Sequence, residues 1–141
     1  MQHNTSIKTF FPEIMPKSPQ YVVAVMRHKG KWVFVRHEER DTYELPGGRI
    51  EQNETPLEAM KREIYEETGA KEYTLEFVCT YGVERDGDKT HGMLYFAQVE
   101  KFGKLPNFEI AQRIYADNMP KEMTYPEIQP LLMEKVFEWR E

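Results

Sequence analysis

Residues Gly48 to Ala70 read GRIEQNETPLEAMKREIYEETGA, and this stretch decides the architecture. Thr55 suits an N-cap, Pro56 suits the first helical position, and Glu58 completes a Thr-x-x-Glu capping box, so a helix is expected to start there. Gly69 suits the left-handed residue that ends one. Leu57, Met60, Ile64 and Thr68 project to one side and are expected to pack on a sheet. Glu63, Glu66 and Glu67 fall within an arc of roughly 100°, centred about 110° from that apolar side.

Three carboxylates on one face work against the helix. Like charges at i, i+4, as in Glu63 and Glu67, cost ~0.2–0.5 kcal/mol. Glu66 and Glu67 also occupy the last turn, where the dipole disfavours each by ~0.3–1 kcal/mol if exposed. Glu58, in contrast, has Arg62 at i+4 on another side. A segment that obeys local rules everywhere else and breaks them here points to a functional site. Hard divalent cations such as Mg²⁺ take oxygen ligands of this kind. Gly47 and Gly48, expected in a turn after Leu45 and Pro46, could bring a backbone carbonyl to the same ion.

The same residues resemble the Nudix box, G-x5-E-x7-R-E-U-x-E-E-x-G-U with U aliphatic. Gly48, Glu54, Arg62, Glu63, Ile64, Glu66, Glu67 and Gly69 match in register, and only Ala70 departs, at a packing position. With WVFVRHEERDTYELPGG leading in, residues 31–70 are similar to the MutT branch, which includes 7,8-dihydro-8-oxoguanine triphosphatases. The resemblance extends over about residues 21–119. It implies an α+β fold, an α/β/α sandwich with a mixed central sheet. It also implies hydrolysis of a nucleoside triphosphate to a nucleoside monophosphate and pyrophosphate, with Mg²⁺, or alternatively Mn²⁺, as the cofactor.

The expected metal ligands are Glu63, Glu66, Glu67 and the Gly47 carbonyl. Arg62 would orient or charge-balance a carboxylate, with a surface pair to Glu58 as its ordinary alternative. Glu63, Glu54 and Glu109 compete as the general base, and Glu54 has a supporting role as the other option. Arg27, Lys31, Arg36 and Arg49 are candidate phosphate contacts. Trp32, Phe34, Tyr43, Tyr81, Tyr95 and Phe96 are aromatic groups that could stack on a base or simply fill the core. His28, His37 and His91 lack metal-ligand spacing and read as exposed turn histidines.

A chain of 141 residues fits one domain with an adequate core. A net charge of −5 opposes non-specific adhesion to nucleic acid, though not nucleotide binding through a metal. One cysteine, Cys79, excludes an internal disulfide, and no apolar run is long enough for a membrane span or signal core. A cytoplasmic enzyme is the expectation; the oligomeric state is left open.

Residues 1–20, with Pro12, Pro16 and Pro19, read as an arm or edge segment of the same domain, and 21–141 as a single catalytic domain. Tyr21 to Met26 reads as a buried strand, paired as a hairpin with Lys31 to Arg36. Leu75, Phe77, Cys79 and Tyr81 alternate, and Arg85-Asp86-Gly87-Asp88 turns the chain into a second hairpin with His91 to Val99. Ile110 to Ala116 is a further short strand. Ile128, Leu131, Leu132, Val136 and Trp139 have helical spacing, with Pro130 in the first turn. Competing functions are removal of pyrophosphate from an RNA 5′ end, cleavage of dinucleotides or sugar nucleotides, and a nucleotide sensor without turnover.

Overall fold

The computed structural model describes residues 6–16, 18–106 and 109–141, so part of the expected arm, residues 1–5 and 17, lies outside the described residues. Among the described residues the elements follow in the order β1 (Ile7–Phe10), β2 (Tyr21–His28), β3 (Lys31–His37), β4 (Gly47–Arg49), α1 (Pro56–Thr68), β5 (Ala70–Arg85), β6 (Asp88–Phe102), β7 (Ile110–Ala116) and α2 (Gln129–Arg140). The strands form one mixed sheet in the order β1-β5-β6-β2-β3-β7, with β4 added against β2. Among the strand pairs of the described residues, β2 and β6 run parallel and the rest antiparallel.

Strand alternation sorts the core into two layers. Val23 and Val25 of β2, Trp32 and Phe34 of β3, and Leu94 and Phe96 of β6 face α2 through Leu132, Met133 and Val136. Val22, Ala24, Met26, Val33, Tyr95, Ala97 and Val99 face α1 through Ala59, Met60 and Ile64. Because β2 is covered on both faces, its sequence is an unbroken apolar run. The result is the expected α/β/α sandwich of the α+β class.

Both hairpins close through two-residue turns with positive φ at each centre, Lys29 (49°) with Gly30 (78°) and Asp86 (50°) with Gly87 (92°). That geometry matches the twist of the flanking strands. The arm contributes β1, which extends the sheet along β5, and Thr9 Oγ1 donates to Glu127 O at 2.9 Å just ahead of α2.

Some details differ from the sequence reading or sharpen it. Gly47 and Gly48 lie in β4 rather than a turn, opposite Val23 and Val22. Leu57 is 45% exposed, since the first turn of α1 overhangs the sheet, and Ala59 packs inward in its place. On α2 the inward residues are Gln129, Leu132, Met133 and Val136, while Leu131 and Trp139 stay over a third exposed. The even alternation of Leu75 through Tyr81 is also broken: a bulge between Phe77 and Cys79 moves Cys79 and Tyr81 to the α2 side, leaving Leu75 on the α1 side.

Candidate active site

Strand β2 has two partners on one edge, β4 along Tyr21–Val23 and β3 along Met26–His28, and the sheet divides between them. The divided edge lies over the last turns of α1. Thr55 caps the helix with both halves of its box formed, and Gly69 ends it at φ 72°. The acidic face therefore presses against β4 and does not lie in solvent: the side chains of Glu63, Glu67 and Glu66 are 13%, 10% and 28% exposed.

Gly48 makes that approach possible. A Cβ there would sit 2.5 Å from the Glu63 carboxyl carbon, inside van der Waals contact. Gly47 N donates to Glu67 Oε1 at 2.8 Å. Burial, then the charge of Glu67, pushes the Glu63 carboxyl up to about 7 despite the opposing pull of Arg62. Burial likewise raises Glu67, against hydrogen bonds from His37 and Gly47.

Arg62 knits the cluster together. Its Nε and Nη2 hold both oxygens of Glu54 at 2.7 and 3.0 Å. Nη1 donates to Glu63 Oε1 at 2.6 Å and reaches Glu66 at 3.5 Å, while Nη2 also donates to the Arg49 carbonyl at 3.0 Å. The surface pair with Glu58 does not form, because Glu58 is used in the capping box, donated to by Thr55 N at 2.9 Å. Arg62, together with the Glu51 backbone N–H, holds the Glu54 carboxyl down at about 2.

Two groups were not anticipated. His37 continues the alternation of Val33 and Val35, and β7 bulges opposite it between Gln112 and Ile110. Its Nε2 lies 3.4 Å from Glu67 Oε2 and 3.3 Å from Glu44 Oε1, so it is no exposed turn histidine. The hydrogen bond to Glu67 raises its pKa, burial opposing. Glu44 is 7% exposed, held by backbone bonds to Val35 and by Arg40 Nη1 at 2.5 Å. The signal for His37 was available in the strand period; Glu44 carries none. His28 Nδ1 donates to Val99 O at 2.9 Å, and His91 packs edge-on against Phe10.

Beside the cluster, between the sheet and the start of α2, opens a cavity of about 320 Å³ whose walls include Glu44, Gly47, Gly48, Tyr21, Tyr81 and Gln129. Of the stacking candidates Tyr81 lines it. Arg27, Arg36, Arg49 and Tyr43 are not among the described residues that do. Arg27 lies over the Trp32 ring, six residues along β2 from Tyr21, which is ~20 Å at ~3.3 Å per residue. Arg36 donates to the Arg40 carbonyl, Tyr43 donates to Gln112, and Lys31 pairs with Asp117. Arg49 reaches the wall indirectly, donating to the Tyr21 hydroxyl. Glu109 is exposed at the entry to β7, its carbonyl accepting from Glu38 N.

The sequence model of the NUDIX domain matches residues 16–123. The chain belongs to the Nudix family. A Bacillus subtilis protein, YtkD, provisionally named an 8-oxo-dGTP diphosphatase, is 34% identical over 122 residues, covering 86% of this chain and 77% of that protein. An RNA pyrophosphohydrolase of Bartonella henselae is 44% identical over 62 residues, 38% of this chain and 36% of that one. The crystal structure of a mutant of the Bacillus subtilis pyrophosphohydrolase BsRppH superposes with a TM-score of 0.76 at 28% identity, covering 95% and 91% of the two chains. The protein is thus a MutT-like Nudix hydrolase, and Nudix hydrolases use divalent metal ions.

Among the described residues no three acidic or imidazole groups converge on one metal-sized point; Arg62 occupies Glu63 and Glu66, and Gly47 N occupies Glu67. The donor set still fits such an ion. It is all oxygen, it is desolvated, and Gly48 leaves out the one carbon that would fill the space at Glu63.

Proposed function

We propose that this Nudix hydrolase is a Mg²⁺-dependent pyrophosphohydrolase that converts a nucleoside triphosphate and water to a nucleoside monophosphate and pyrophosphate. The observation that carries the reading is the sharing of Gly47, Gly48 and Glu44 between the acid cluster and the cavity wall. A triphosphate held at the carboxylates would place its nucleoside in that cavity. Glu63, Glu66, Glu67 and the Gly47 carbonyl are the groups we assign to the metal, with Mn²⁺ as an alternative ion. When bound, the cation supplies neutralisation of phosphate charge and a lowered pKa for water.

The remaining roles belong to the chain itself. Arg62 orients Glu63 and Glu66, and Glu54 anchors Arg62. Being held near 2 by that pairing, Glu54 is a weak proton acceptor. Glu63 and Glu109 remain the base candidates. His37, between Glu44 and Glu67, fixes the direction of the Glu67 carboxylate. We read residues 1–20 as part of the same domain because β1 pairs with β5.

For the free nucleotide, an oxidised guanine triphosphate such as 8-oxo-dGTP is the first candidate, supported by the name of the Bacillus relative. The second reading, a triphosphorylated RNA 5′ end, is favoured by the relatives named as RNA pyrophosphohydrolases and by the likeness to BsRppH. Incubation with dGTP, 8-oxo-dGTP and triphosphorylated RNA in Mg²⁺, with chromatography of the products, tests both. Pyrophosphate and a monophosphate end, abolished by chelator, are expected; no turnover of any of the three would overturn the proposal.

A further inference from the structure

One wall of the cavity carries a fixed polarity. Gln129, the first residue of α2, is 7% exposed and lines the cavity. Leu45 N donates to Gln129 Oε1 at 2.8 Å. A backbone N–H has no acceptor capacity, so this bond fixes which way round the carboxamide sits, with oxygen toward Leu45 and Nε2 on the other side.

Nε2 has no hydrogen-bond partner among the described residues. Nor is it sealed in, because among those residues the buried side-chain polar atom that is both enclosed and partnerless is Thr80 Oγ1. An unpartnered NH₂ on a residue this buried that lines a cavity is a donor waiting for an acceptor. Neighbouring polar groups do not supply it: Glu44 is engaged by His37 and Arg40, and the Tyr21 hydroxyl accepts from Arg49. Arg85 and Thr90 add polar groups to the wall, while Tyr81, Ile128 and Leu132 give it apolar and aromatic surface suited to the faces of a planar ring.

We propose that Gln129 is a specificity-determining residue that donates from Nε2 to a carbonyl oxygen of the substrate base, so that 6-oxopurines are accepted over 6-aminopurines. The inference rests on the reading above that the cavity holds the base. An exocyclic amine at that position would set donor against donor and leave both unpaired, which is the arrangement that lets a buried polar site reject an analogue strongly.

The test compares inosine triphosphate with ATP, and short RNAs carrying the same two bases at a triphosphorylated 5′ end. kcat/KM is measured for each, and equilibrium binding of the two nucleotides is measured in parallel by calorimetry without Mg²⁺ turnover. Wild type is expected to favour the 6-oxo member by about tenfold or more in binding and turnover. The mononucleotide and RNA arms identify which source of the base is used. Gln129→Glu keeps an acceptor for Leu45 N and turns a second acceptor into the cavity, so the preference should fall below threefold or invert. Gln129→Met should likewise bring the ratio below threefold. Equal binding of the pair by wild type, or a ratio unchanged in Gln129→Glu, overturns the inference. Absence of turnover with a preserved 6-oxo binding preference would instead overturn the hydrolytic reading and leave this one supported.

Discussion

Replacement of Gly48 by alanine separates function from folding in a way that only the close approach of β4 to α1 predicts. The ideal Cβ lies 2.5 Å from both the carboxyl carbon and Oε1 of Glu63, and 2.8 Å from Oε2. Ordinary carbon contacts are ~3.5–4.0 Å, so the carboxylate must retreat by roughly 1 Å. A displacement of ~1 Å at a reacting centre costs ~10²-fold in rate. Stability should hardly move. The positive-φ glycines are Gly30, Gly69 and Gly87, so the backbone at Gly48 accepts alanine, and the yielding group is the end of a flexible side chain. Loss of unfolded-chain entropy contributes ~0.4–1 kcal/mol, which offsets a weakened hydrogen bond from Arg62. Gly47→Ala is the control: its Cβ meets the Val22 carbonyl oxygen and Val23 Cα, backbone atoms of β2 that cannot step aside, and should cost ~1–3 kcal/mol of stability. Urea unfolding and kcat/KM on the same preparations decide it. A Gly48→Ala protein within threefold of wild-type activity, or one that loses activity only by unfolding, would refute the reasoning.

Arg62→Lys should lower kcat about 10–100-fold with the fold retained, since an ammonium cannot hold Glu54 at two points while reaching Glu63; kinetics alongside circular dichroism would show it. Glu54 has a folded pKa of about 2 against an ordinary 4.5, so the stability it contributes is present above 4.5 and is lost as pH falls through about 2. Melting curves of wild type and Glu54→Gln should therefore converge as the pH falls across that interval, and a constant difference would count against the pairing. Arg113 from β7 donates to the Thr68 carbonyl at the end of α1, a helix with no basic residue in its last turn. Arg113→Met should cost about 1–2 kcal/mol in urea unfolding.

The helix at the centre of the fold was legible to its ends because capping is local: Thr55, Pro56, Glu58 and Gly69 settle it within one segment. Both hairpins and the strand Ile110–Ala116 were legible for a similar reason, through turn chemistry and strand period. Leu57 was expected to pack inward but is exposed, because a helical wheel gives a direction but not where the opposing sheet stops. The phase of β5 was misread because a bulge at Phe77–Cys79 has no sequence signature there.

Within the site, the acidic residues of α1 announced themselves by breaking helix rules. Their partners did not. Arg62 chose Glu54 eight residues away over Glu58 four away, and His37 from β3, Glu44 from the β3–β4 connection and Gln129 from α2 are brought together only by the fold. Arginine and lysine at the hairpin end looked like phosphate contacts by charge alone, yet sheet geometry places Arg27 far from the cavity.

Thermal unfolding over a Mg²⁺ titration, in wild type and in a protein with Glu63, Glu66 and Glu67 all changed to glutamine, tests most directly whether the carboxylate cluster exists to hold a cation. Wild type should gain about 2.7 kcal/mol when Mg²⁺ reaches a hundredfold over its dissociation constant. The triple variant should be at least as stable without metal, relieved of buried like charges, and should not respond to Mg²⁺. A wild-type transition that Mg²⁺ leaves unmoved with or without nucleotide, or an equal shift in the variant, would contradict it.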